Sequence, residues 1–155
     1  MSYTVKLADI CTGIAALSIT GVKIRDITKI PASGNMVTPI MFPMPDDNFI
    51  TGLTPTPVTY GTGGLERMDL DYDLNYVYAH CPIAAALGGP YQAYASLIVN
   101  VIKIIVAIMS NDNIRDGTEL RLKTITKCGP VTDPAGNQFW GCALTFHVKE
   151  YLEVA

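Results

Sequence analysis

The stretch Asp69–Ala79, DLDYDLNYVYA, decides the fold, because Leu70, Tyr72, Leu74, Tyr76 and Tyr78 alternate with Asp69, Asp71, Asp73, Asn75 and Val77. A period of two belongs to a half-buried β-strand, whose successive side chains point to opposite faces. One face is aromatic and apolar, the other acidic, so the strand needs a cover on one side only. The flanking sequence offers that cover. Upstream, Leu7, Ile10, Cys11, Ile14 and Leu17 follow the i, i+3, i+4, i+7 stripe of an amphipathic helix that ends before Gly21. Val22–Ile30 (VKIRDITKI) is β-branched and half-alternating, with a phase slip near Asp26 of the kind a bulged strand shows.

Downstream, Cys81-Pro82 and Gly88-Gly89-Pro90 break the pattern, and Tyr91–Met109 then reads as a helix with apolar residues on nearly every side. It is expected to be largely buried, with Lys103 snorkelling or meeting a carboxylate. Thr118–Lys127 alternates Leu120 and Leu122 against Arg121 and Lys123, and Asp133-Pro134-Ala135-Gly136 marks a turn. In Gln138–Val154, Trp140, Cys142, Leu144, Phe146 and Val148 share one face, and Gly141, Ala143, Thr145, His147 and Lys149 the other. These two segments predict a closing antiparallel hairpin. The expectation is a single α+β domain over residues 1–155, a mainly antiparallel twisted sheet packed with two helices, without internal repeats.

Pro31–Pro57 interrupts this order with six of the ten prolines and no charge before Asp46. Proline cannot donate to a sheet ladder, so VTPIMFPMP is expected to be an edge strand or an extended arm. Met36, Val37, Ile40, Met41, Phe42 and Met44 are too apolar to be left in water, which predicts an arm packed on a neighbouring subunit.

A chain of 155 residues buries roughly 68–70% of its unfolded surface without a disulfide or metal staple. Charged residues are only 16% of it and apolar residues 49%, against about 25% charged in a typical globular domain. A membrane span would explain that, but the longest apolar tract, Ala93–Met109, is short for one and contains Ser96, Asn100 and Lys103. Met1–Lys6 is polar and lacks the pattern of a signal peptide, so a cytoplasmic site of synthesis is expected. Large uncharged interfaces between subunits remain as the explanation. The net charge of −3 argues against general nucleic-acid affinity, and the negative charge is concentrated in residues 44–79, where Arg67 stands against six acids.

No catalytic set can be assembled from these residues. Asp69-x-Asp71-x-Asp73 begins like a calcium loop, but Leu74 stands where glycine is required and His80 where a bidentate glutamate belongs. Gly61-Thr62-Gly63-Gly64 is followed by no Lys-Ser/Thr pair, so a plain loop is expected in place of a phosphate cradle. His80 and Cys81 are adjacent and would point to opposite faces of a strand. His147 reads as a lone surface or interface histidine. Cys11, Cys81, Cys128 and Cys142 are widely spaced and read as free buried thiols. None of the five serines lies in a G-x-S-x-G context. Neither metal nor cofactor is expected, and the chain is expected not to be an enzyme.

The amphipathic first helix, the middle strand preceded by Gly63-Gly64-Leu65-Glu66-Arg67, the helix after Pro90, and the closing Phe139-Trp140-Gly141 and Ala143–Val148 are similar in order to the tail terminator, or tail-completion, proteins of long-tailed bacteriophages. The resemblance spans nearly the whole chain and rests on pattern, not on a signature motif. It implies an α+β subunit forming a ring, usually of six copies, that caps the tail tube and meets the head–tail connector. Its partners would be itself, the tube protein and the connector, with DNA only as passing cargo, in the virion after assembly in the host cytoplasm. The family has no catalytic residues to carry over, and the proline-rich segment here is longer than its pattern. Another neck component is the nearest alternative reading. A small-ligand-binding domain, with a pocket between the aromatic strand face and the apolar helix, is the alternative of another class. In a ring crossed by DNA, Asp69, Asp71 and Asp73 would line the lumen and repel phosphates. The plainer reading is that they face solvent or pair with Arg121 and Lys123 across the sheet.

Overall fold

The structure, a computed structural model, describes residues 5–25, 37–44, 49–59, 65–83, 90–111, 117–132 and 136–153. They form helix α1 (Leu7–Ala15), strands β1 (Lys23–Ile24), β2 (Ile40–Pro43), β3 (Ile50–Thr59) and β4 (Leu65–Pro82), helix α2 (Pro90–Met109), and strands β5 (Thr118–Thr132) and β6 (Gln138–Glu153). The fold is α+β. One sheet runs β1-β2-β4-β6-β5, with β3 also on β4, and every pairing except β1–β2 is antiparallel.

β4 organises the sheet, and its 18 residues extend for roughly 55 Å at about 3.3 Å per residue. It pairs with β6 along almost its whole length, from Arg67↔Glu153 to Pro82↔Phe139. Its other edge is shared: β3 occupies the Leu65–Leu74 half, and β2 the Tyr76–Ala79 half. The expected hairpin is present as β5–β6, with each strand longer than its strictest alternating core. At the β4–β6 crossing, Gly141 stands opposite Ala79, where a Cβ would overlap the Tyr78 carbonyl oxygen and the Val131 side chain. Only glycine allows this approach.

The alternation of the deciding strand holds. Tyr72, Leu74, Tyr76 and Tyr78 are buried with Cys142, Leu144, Phe146 and Val148 of β6, under Ile10, Cys11 and Ile14 of α1 and Leu97, Val101, Ile104 and Ile108 of α2. Tyr76 meets Phe146 edge-on at 5.5 Å between ring centres and Phe49 at 5.8 Å, the geometry that ring quadrupoles favour. The aromatic face of β4 is packed against both helices.

α1 starts without a side-chain cap at Lys6. Its place is taken from across the sheet: the Lys6 N–H donates to Glu150 Oε1 at 2.7 Å, and a carboxylate suits the positive end of a helix. The Tyr72 hydroxyl donates to Glu150 Oε2 at 2.6 Å. Glu150 is fully buried, so these bonds replace the water it gives up.

Three expectations are corrected. Within the proline-rich segment, Ile40, Met41 and Phe42 are not an arm reaching a neighbour. They form β2, interior to the sheet between β1 and β4, and are 0–2% exposed in this chain alone. The prolines permit this because Pro39 precedes the strand and Pro43 ends it, leaving the intervening N–H groups free for pairing. Ile40 and Phe42 join Val77, Ala79 and Phe139 in a second apolar cluster on the opposite sheet face, with Met44 packed against it. Val37 is exposed, and Met36 lies outside the described residues. The edge-strand rule applies instead to β3, which contains Pro55 and Pro57 and pairs on one side only among the described residues.

The second correction concerns α2, which is buried along one face only. The third concerns β1, of which only Lys23–Ile24 pair, residues 26–30 lying outside the described residues. Gly61–Gly64 and residues 133–135 of the expected turn also lie outside them.

Candidate functional site

Two surfaces stand out: the polar sheet face around Asp71 and the outer face of α2. On β4, Asp69, Asp71, Asp73 and Asn75 point away from the helices, as the alternation requires. Register sets Asp71 opposite Lys149, Asp73 opposite His147 and Asn75 opposite Thr145, with Arg121 of β5 opposite His147 and Glu119 opposite Lys149.

Asp69 and Asp73 are ion-paired within the chain, and Asp71 meets a histidine. Arg67 Nε donates to Asp69 Oδ1 at 2.8 Å, and Lys123 Nζ donates to Asp73 Oδ2 at 2.8 Å. His147 is not a lone histidine, for its Nδ1 lies 3.0 Å from Asp73 Oδ1 and its Nε2 3.1 Å from Asp71 Oδ1. A carboxylate only accepts, so the ring satisfies both contacts when both its nitrogens carry hydrogen. Desolvation pushes the Asp73 carboxyl up, but the hydrogen bonds from Lys123 and His147 outweigh it and hold the group below the usual aspartate range. Arg67 and Lys149 also sit over the Tyr151 ring, at 5.3 and 5.4 Å.

The acidic residues of this face are interleaved with cations. Among the described side chains, Asp69, Asp71, Asp73 and Glu119 share this face with Arg67, Arg121, Lys123 and Lys149. The plainer sequence reading holds for Lys123, whereas Arg121 stands across from His147. An open hollow of about 770 Å³ lies at the β5 side of this face, bordered by Asp71, Glu119, Arg121, His147 and Lys149. Its charged walls differ from the apolar lining of most small-molecule pockets.

The outer face of α2 has the opposite character. Ile98, Val99, Ile102, Val106 and Met109 are 53–69% exposed. Their spacing continues the helical period on the side away from Leu97, Val101, Ile104 and Ile108, so the helix is apolar on both sides and covered on one. Lys103 sits beside the stripe and donates to the Thr20 carbonyl at 3.5 Å. A shallow cleft of about 370 Å³ separates Ile102 and Val106 from Ser18–Thr20. No described helix is long and apolar enough to cross a membrane.

The remaining candidate groups are held structurally. The Tyr78 hydroxyl accepts from Asn100 Nδ2 at 2.9 Å and lies 2.7 Å from His80 Nδ1, which ties α2 to β4. Burial lowers the His80 pKa and raises that of Cys81. Burial also pushes the Cys142 thiol up to about 12, with neighbouring Cys128 adding to the shift. Cys11 and Cys142 are buried as expected, whereas Cys128 is exposed. No cluster of three or more His, Cys, Asp or Glu residues suited to a metal ion occurs among the described residues.

Sequence reasoning missed Glu150 and the exposed side of α2. For Glu150 the signal was present: it continues the even-numbered series Cys142, Leu144, Phe146, Val148 onto the buried face. For α2 there was none, since all its sides are apolar. The chain matches no protein-family model, and no curated protein shows significant similarity to it.

Proposed function

We propose that this chain is a structural subunit that assembles with copies of itself into a ring, terminating the tail tube of a long-tailed bacteriophage and joining it to the head connector. The observation that carries the self-assembly part is the α2 stripe, five large apolar side chains each more than half exposed on one helix. A patch on the order of 500 Å² is at the upper end of what monomeric proteins leave in water, and marks an interaction surface. Cyclic symmetry lets one pair of unlike patches satisfy every copy. The order of elements supports the tail-terminator assignment, and the low charge content of 16% fits a protein with much surface in contact with others.

The paired aspartates give this reading a modified lumen. If the sheet face lines the channel, it presents a wall of mixed charge whose aspartates are held by Arg67, Lys123 and His147. Such a wall lacks the cationic excess that gives salt-dependent DNA adhesion.

Electron-microscope images of the purified full chain, alone and mixed with tail tubes of its own virus, test the proposal. Rings with a central hole, capping one end of each tube, are expected. Uniform particles of single-chain size that leave tube ends bare would contradict it.

A further inference from the structure

The surface that receives the α2 stripe can be sought on the same molecule. β3, Ile50–Thr59 (ITGLTPTPVT), has no charged residue in ten, and its side chains are exposed at every position except half-buried Val58. Leu53, which shares with Gly52 the bulge opposite Tyr72, is 60% exposed and Ile50 36%. Ile50, Pro55 and Pro57 pair with Leu74, Leu70 and Met68, so they lie on the helix-bearing face of the sheet. Over β4 and β6 that face is buried beneath α1 and α2, whereas Ile50, Pro55 and Pro57 of β3 are exposed and no described element lies on them. Pro55 and Pro57 supply no N–H groups, which makes the strand a poor template for strand addition and leaves its side-chain face as what it can offer.

We propose that the α2 stripe of one copy, Ile98, Ile102, Val106 and Met109, docks on the helix-bearing face of β3 in the next copy, head to tail around the ring. The inference rests on the self-assembly reading above. A helix laid on an apolar sheet face is how this fold already buries Tyr72–Tyr78, so the neighbour's α2 repeats that packing at a vacant position. Charge decides against the symmetric alternative. A two-fold α2–α2 contact centred on Ile102 would set the exposed Lys103 of the two copies side by side at its flank, opposing two like charges. β3 is uncharged and offers hydroxyl and carbonyl acceptors beside the docked helix. The stripe alone is smaller than the roughly 800 Å² per partner of a standard interface, so it forms the apolar centre and the surrounding polar residues its rim.

The test uses the full chain with Cys81→Ser and Cys128→Ser as background and a short bismaleimide as cross-linker. Mixing subunits carrying only Ile102→Cys with subunits carrying only Leu53→Cys is expected to give cross-linked dimers, and the double variant a ladder up to the closed ring. Ile102→Cys alone should give none. In parallel, Ile102→Glu is expected to leave single chains, and adding Leu53→Lys to restore at least half of the assembled mass. Cross-linking of Ile102→Cys to itself would overturn the proposal in favour of helix–helix pairing. An assembled background protein whose double variant forms no ladder and whose Ile102→Glu ring persists would overturn the docking pair while leaving self-assembly intact. A background protein that stays a single chain at tens of micromolar, with and without tail tubes, would sink both.

Discussion

Two apolar stretches of this chain exchange the places their sequences suggest. Ile40–Phe42, hemmed by prolines and expected on a neighbour, lies inside the sheet at 0–2% exposure. Ile98–Met109, apolar all round and expected in the core, shows its outer face to solvent. Composition states that a segment must be covered; topology decides whether its own chain does the covering. β2 fits between β1 and β4 because β4 is long enough to hold β3 and β2 end to end on one edge. α2 has the sheet beneath it and no described element above the stripe.

The largest effect that could break this comparison comes from β2. Phe42→Ala removes a fully buried ring and is expected to cost about 3–5 kcal/mol in denaturant melts. A near-neutral result would restore the arm reading. Next is the tie between sheet and first helix: Tyr72→Phe leaves buried Glu150 one donor short, for an expected loss of roughly 1–3 kcal/mol, read in the same melts.

Acid sharpens the picture on the polar face. The Asp73 carboxyl is lowered in the folded chain, so its contribution is fully present above the ordinary value of about 3.9 and drains as pH falls toward the folded value. Lys123→Met should raise that folded value and shrink the pH dependence of stability in this window. An unchanged acid limb would show that the pairs do not hold the face. His80, lowered by burial, should contribute a separate loss as pH falls below about 6.5, one that His80→Gln removes. The smallest effect is expected on the stripe itself: Ile102→Ser should change the stability of the dissociated chain by no more than about 0.5 kcal/mol. A cost of 2 kcal/mol or more would mean that α2 is covered by its own chain.

The contrast also explains what was legible in the sequence. The period-two patterns of β4 and β6 are strong because one face of each is buried and the other polar, and a register slip would invert every side chain. The aromatic stripe, the closing hairpin and the α+β class follow from them. The side on which α2 lies bare was not legible, because a helix with no polar face gives the pattern nothing to mark. β2 was obscured by counting prolines across 27 residues instead of asking where the gaps between them fell. The Asp71–His147–Asp73 clamp depends on the β4–β6 register, which pairs residues more than 70 positions apart. Short motifs have no access to that.

The most direct test of the central claim, that this chain works by associating with itself, is the native mass of the purified full chain at tens of micromolar, measured by light scattering beside Ile102→Glu. The account predicts one discrete multiple of 16.7 kDa for the natural sequence, six-fold for the ring the resemblance implies, and a single-chain mass for the variant. A natural chain that runs at 16.7 kDa at every concentration, with or without tail tubes, would contradict it.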